Sequence, residues 1–137
     1  MNIYFDIETI PSQSFAAIEI IKADIDKQKL SVKAPSNYKD EEKIAAYIKA
    51  EVEKLDSEFD ATYRKTSFDG GLGEICCIGY AIDDNAPVSI YGGCEAEILH
   101  KFYQALVDEY NPSSQTRPKF IGHNIVSFDL RFLFQQP

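Results

Sequence analysis

At 137 residues the chain has the length of one ordinary domain, enough to bury a core. No stretch approaches the roughly 20 apolar residues of a membrane span, and the start lacks the basic and apolar runs of a signal peptide, so a soluble, cytoplasmic protein without a membrane partner is expected. The net charge of −8 disfavours tight, salt-driven binding to nucleic acid, yet leaves room for an enzyme that meets phosphates through bound metal ions. Cys76, Cys77 and Cys94 are too few and too odd in number for a disulfide framework, and no Cys or His spacing fits zinc.

Residues 2 to 7 read as a strand, because Ile3, Phe5 and Ile7 alternate with Tyr4, Asp6 and Glu8; Pro11 and Ser12 end it. From Phe15 to about Gln28 a helix is expected, with Phe15, Ile18, Ile21 and Ile25 as its buried stripe. Pro35 and Ser36 mark a turn. Asp40 then caps a second helix with Glu41 and Glu42 in its first turn and Ile44, Tyr47, Ile48, Val52, Leu55 and Phe59 along one face. Residues 14–60 thus form a helical insert. Acids interleaved with its lysines favour a solvated face over a strip that guides a phosphate backbone. Tyr38 and Tyr47 are available to stack on bases, although packing within the helical pair is the ordinary outcome.

Gly70, Gly71 and Gly73 precede a strand instead of opening a helix, which makes that segment a turn and not a phosphate cradle. Glu74 to Ile82 reads as a central strand in which Cys76 and Cys77 point to opposite faces. Val88 to Tyr91 completes a hairpin with it. A helix follows from Cys94 to Tyr110, with Ile98, Leu99, Phe102, Leu106 and Val107 buried and His100 on its wetter side; Asn111-Pro112 stops it. Lys119 to Gly122 is a short strand, and a last helix starts at Ser127 or Phe128 and runs through Phe134. The order implies a mixed α/β fold.

Asp6 and Glu8, at strand spacing, share one face. A plain solvent face and a chemical site both fit that spacing. The run GHNIVSFDLRFL, residues 122 to 133, then places His123, Asn124 and Asp129 in apolar surroundings. Asp129 is either a helix-start acid or a third carboxylate that meets the first two. Three convergent carboxylates repel one another unless a cation neutralises them, and oxygen ligands of this kind suit Mg²⁺ or Mn²⁺.

FDIET, residues 5 to 9, resembles the first motif of the DnaQ-like (DEDD) 3′–5′ exonucleases, and GHNIVSFDLRFL resembles their second. The match is closest to the stand-alone proteins similar to the proofreading domain of family B DNA polymerases. FDIETIP, NYKDEEKIAAYI, the turn before EICCIGYAI, and GHNIVSFDLRFL follow in that group's order, so the resemblance spans essentially the whole chain. It implies a ribonuclease H-like mixed sheet flanked by helices, and hydrolysis with two divalent ions, Mg²⁺ or Mn²⁺, at the 3′ end of a nucleic acid, DNA before RNA. On that resemblance Asp6 bridges both ions, Glu8 holds the one on the nucleophile's side, and Asp129 supports the second. Asn124 and His123 position the 3′ end, with Ile7, Thr9 and Phe128 also lining the substrate.

The resemblance also implies a third motif, a Tyr or His followed by a fourth acid, which the chain does not reach before Pro137. The catalytic set and the C-terminal part of the fold are therefore expected to be incomplete, as in a truncated single exonuclease domain. Three readings meet that shortfall: a fragment of a longer exonuclease, a degenerate relative that binds without turnover, and a site completed by another subunit. A sheet edge left open favours a homodimer with a second copy. An inactive nucleic-acid-binding or assembly module is the rival to an enzyme.

Overall fold

The computed structural model describes residues 1–135. In chain order they form β1 (Asn2–Ile10), α1 (Phe15–Leu30), α2 (Glu41–Lys65), a 3-10 turn (Thr66–Phe68), β2 (Glu74–Ile82), β3 (Val88–Tyr91), α3 (Glu95–Glu109), β4 (Lys119–Ile121) and α4 (Asp129–Gln135). The strands make one mixed sheet in the order β3-β2-β1-β4, with β1–β2 and β2–β3 antiparallel and β4 parallel to β1. This is a mixed α/β architecture with helices flanking a four-stranded sheet. Among the described residues no helix is long and apolar enough to cross a membrane.

Alternation along β1 decides which face is core. Ile3, Phe5 and Ile7 are buried, whereas Tyr4, Asp6 and Glu8 are exposed. Phe102 of α3 is fully buried and lies 6.0 Å, ring to ring, from Phe5 and 5.5 Å from Tyr80. Burying a side chain of that size is worth about 1.5–3 kcal/mol. Ile98 of α3 and Phe132 and Leu133 of α4 join the same cluster with Ile75 and Ile78. Val107 does not; it is 66% exposed, because it stands about 100° round the helix from Leu106, off the sheet.

The strand pairing departs from strict alternation at one point. Glu8 faces Cys77 but Thr9 faces Ile75, so Cys76 is the extra residue of a bulge. Ile75 and Ile78 are both buried, and the two residues between them, Cys76 and Cys77, both lie off the core. The opposite-face reading of these cysteines is corrected accordingly. The bulge also lets β1 run on to Ile10, beyond the expected end at Ile7.

The helical insert is longer than its sequence boundary, since α2 continues to Lys65. Nothing in ATYRK breaks a helix; Tyr63 stacks on Phe59 at 6.2 Å, and Arg64 pairs with Asp60 one turn back. Asp40 caps α2 through the Glu42 N–H, as expected. The two helices pack on each other around Ile25, with Lys29 paired to Asp56. Phe15 takes no part; it opens α1 and is 76% exposed, and Ala17 is buried in its stead.

Two hydrogen bonds tether the insert to the sheet. The Ser12 N–H donates to Thr66 Oγ1 at 2.8 Å, which joins the residues on either side of the insert, both buried. The Thr9 hydroxyl donates to the Ser67 carbonyl at 2.6 Å. Together they hold the 3-10 turn against the far end of β1.

At the start of α3 the Glu95 carboxylate accepts the Ile75 N–H at 2.6 Å. Burial pushes the Glu95 carboxyl above its ordinary value; the Ile75 N–H pulls it down and Glu74 adds repulsion. An acid whose value is raised by folding contributes most below its unfolded value, 4.5, and loses that contribution as pH rises through the raised value. Glu95→Gln keeps an acceptor for Ile75 and removes the charge. Its stability relative to the parent is expected to increase as pH is taken from about 4.5 to 7. Urea midpoints across that range check this; a constant difference would contradict it.

Candidate carboxylate site at the end of the first strand

Three features of the sheet place acids near one another. The first is β1 itself, whose pleat sets Asp6 and Glu8 on the exposed face, either side of buried Ile7. Gly79 lies directly across from Asp6, and a Cβ built there would meet nothing within 4 Å. Facing residues of an antiparallel pair share a face, so the Asp6 carboxylate has open space beside it.

The second feature is the end of β4. β4 pairs with β1 only as far as Tyr4. Beyond that point the β4-side edge of β1 is free to bond elsewhere. At Gly122 the chain crosses close to β1: a Cβ there would stand 2.7 Å from the Phe5 carbonyl oxygen and closer still to Ile125. A residue without a side chain is what this approach requires.

The third feature is the turn into α4. Asn124 takes φ 53°, in the left-handed region that Asn tolerates better than most residues. Its carbonyl accepts the Ser127 N–H at 3.2 Å and the Phe128 N–H at 3.1 Å. This tight turn aims Asp129 at β1. Asp129 Oδ1 accepts the Ile7 N–H at 3.0 Å, joining residues 122 apart in sequence.

Asp129 is 2% exposed. Burial pushes its carboxyl above the usual carboxylate range. The Ile7 N–H and its own backbone N–H act against this, Asp6 pushes it further up, and His123 draws it down. Asp6 and His123 are thus each near enough to act on the charge of Asp129. Glu8 is next but one to Asp6 on the same face.

The remaining expected site residues have structural bonds of their own. The Ile7 side chain is in the core, and its N–H is taken by Asp129. The Thr9 hydroxyl is engaged by Ser67. Phe128 is half-buried, with its ring 5.7 Å from Phe132 and 6.4 Å from Phe68. His123 and Asn124 are exposed. Sequence reading missed Ser12, Thr66 and Ser67, which fix the insert beside this site; a Ser and a Thr bracketing the insert were the only signal.

Among the described residues no three His, Cys, Asp or Glu side chains are gathered as a cation site. The donors nevertheless fit a hard divalent cation in kind. They are carboxylate oxygens, and the buried charge of Asp129 beside Asp6 is what a cation would relieve. Asp6 and Asp129 are the pair suited to hold one, with Glu8 flanking them.

No family model, curated protein or solved structure matches the chain.

Asp129→Ala leaves the Ile7 N–H without its acceptor inside the protein and is expected to cost about 1–3 kcal/mol. Asp129→Asn, which keeps a carbonyl for the same bond, is expected to cost less than half as much. Denaturant midpoints of the two variants check this; equal losses would mean that the carboxylate's bond to Ile7 is not what stabilises the turn.

Proposed function

We propose that the protein is a metal-dependent 3′–5′ exonuclease, a DnaQ-like member with a ribonuclease H-like sheet. The observation that carries this reading is the Asp129–Ile7 hydrogen bond. It draws the two motif-like runs, FDIET and GHNIVSFDLRFL, together at one point of the sheet. A mixed sheet with an open-faced Asp6 supports it as well.

In this reading Asp6 and Asp129 would hold the divalent cation, with Glu8 beside them. Bound Mg²⁺ or Mn²⁺ supplies a hydroxide at neutral pH and stabilises charge on the leaving oxygen. The chain's own residues do the rest. The Ile7 N–H fixes one Asp129 oxygen and leaves the other for a ligand. His123 lies near Asp129, and in this reading His123 and Asn124, at the left-handed turn, would offer polar atoms to a 3′ end. Gly79 leaves room for the scissile phosphate next to Asp6. Such a substrate is a single-stranded or frayed end, since a phosphate must reach acids set on a sheet face.

A second reading, an inactive exonuclease-like module that binds or assembles, is favoured by one observation: the three acids are not gathered as a cation site among the described residues. Turnover separates the two. Release of mononucleotides from labelled single-stranded DNA with Mg²⁺ or Mn²⁺ is expected for the parent chain and is expected to vanish for Asp6→Asn. Mn²⁺ is also expected to raise the thermal midpoint of the parent and not of Asp6→Asn, because a ligand bound only by the folded state stabilises it. No release, together with no Mn²⁺ shift, would favour the module.

A further inference from the structure

The helical insert carries a groove of about 840 Å³ at its tip, walled by Asn37, Tyr38, Lys39, Asp40, Lys43 and Tyr47. Its size is that of a small-ligand pocket, about 300–1,000 Å³. The carboxylate site does not include any of these residues.

The rings of Tyr38 and Tyr47 meet edge to face, 5.7 Å apart at 78°. In that geometry neither ring covers both faces of the other. Tyr38 is 37% exposed, and its backbone N–H donates to the Pro35 carbonyl at 3.0 Å. Lys39, in the loop before the Asp40 cap, and Lys43, in the first turn of α2, are both exposed, and among the described residues neither is in an ion pair. The one acid in the lining, Asp40, already accepts the Glu42 N–H at 3.0 Å as a helix cap. The groove therefore offers two free ammonium groups and two aromatic faces, in a chain whose net charge is −8. In the lining two ammonium groups stand against one carboxylate, which favours an anionic ligand, and the paired rings favour one that also carries flat bases.

We propose that this groove binds a single-stranded segment of nucleic acid, a base stacking on Tyr38 and adjacent phosphates meeting Lys39 and Lys43. The choice of ligand class rests on the exonuclease reading; the groove would hold substrate away from the acids.

Fluorescence anisotropy of a labelled oligothymidylate of about 12 nucleotides, titrated in EDTA over a series of salt concentrations, tests this without the carboxylate site's metals. The parent and Asp6→Asn are expected to bind alike. Lys39→Gln with Lys43→Gln is expected to lower the slope of log affinity against log salt by about 1.4, at about 0.7 per phosphate contact on a single strand. Tyr38→Leu is expected to weaken binding about tenfold, with circular dichroism showing the insert still helical. Three results would overturn the inference: no binding in EDTA, binding that these substitutions leave unchanged, or equal binding of an oligoglutamate that has charge but no bases. Binding by the groove with no metal-dependent release of mononucleotides would instead overturn the exonuclease reading alone.

Discussion

A single buried hydrogen bond, from the Ile7 N–H to Asp129 Oδ1, carries much of the architecture around the candidate site. Burying a carboxylate is costly unless it is bonded or neutralised. Asp129 is buried, is bonded to one backbone donor, and stands beside another acid. The chain accepts this cost at the point where β4 has stopped pairing and β1 still has a donor to offer. The bond fixes where α4 begins. With α4 come Phe132 and Leu133, which close one end of the core.

The last residues of β1, just beyond Ile7, are governed by the bulge and the tethers. An extra residue at Cys76 shifts the register between Glu8 and Thr9. The Thr9 hydroxyl then meets Ser67, and the Ser12 N–H meets Thr66. Bulges commonly re-aim side chains beside functional sites. Here the same device gives the long helical insert a fixed base next to Glu8. The base of the insert and the carboxylates of β1 are thus mechanically neighbours.

Much of this was legible in the sequence, and the parts that were not share a cause. Period-two alternation gave β1 its core face, and helical spacing gave α3 its Ile98 and Phe102. The Asp40 cap was legible because capping is local. Phe15 and Val107 were misread because apolar character at the edge of a stripe does not say whether a partner reaches it. Cys76 and Cys77 were misread because a bulge is decided by the partner strand. The acids of FDIET read equally well as solvent face or site. Only the approach of Asp129, set by the Asn124 turn and by the absence of a side chain at Gly122, distinguishes their setting. Such a long-range bond leaves no periodic trace. The groove at Tyr38 was half legible: its aromatic residues and the Asp40 cap stood out, but the edge-to-face pairing of the two rings did not.

Hydrogen exchange at the Ile7 amide, followed residue by residue in the parent and in Asp129→Ala, tests the central bond most directly. A hydrogen bond to a charged acceptor is worth about 1.5–3 kcal/mol, so exchange at Ile7 should speed up tenfold or more in the variant. Ile78, within the β1–β2 ladder, should keep its protection if the loss is local. An Ile7 amide that exchanges freely in the parent, or one whose protection survives removal of Asp129, would contradict the account that this bond joins the two halves of the site.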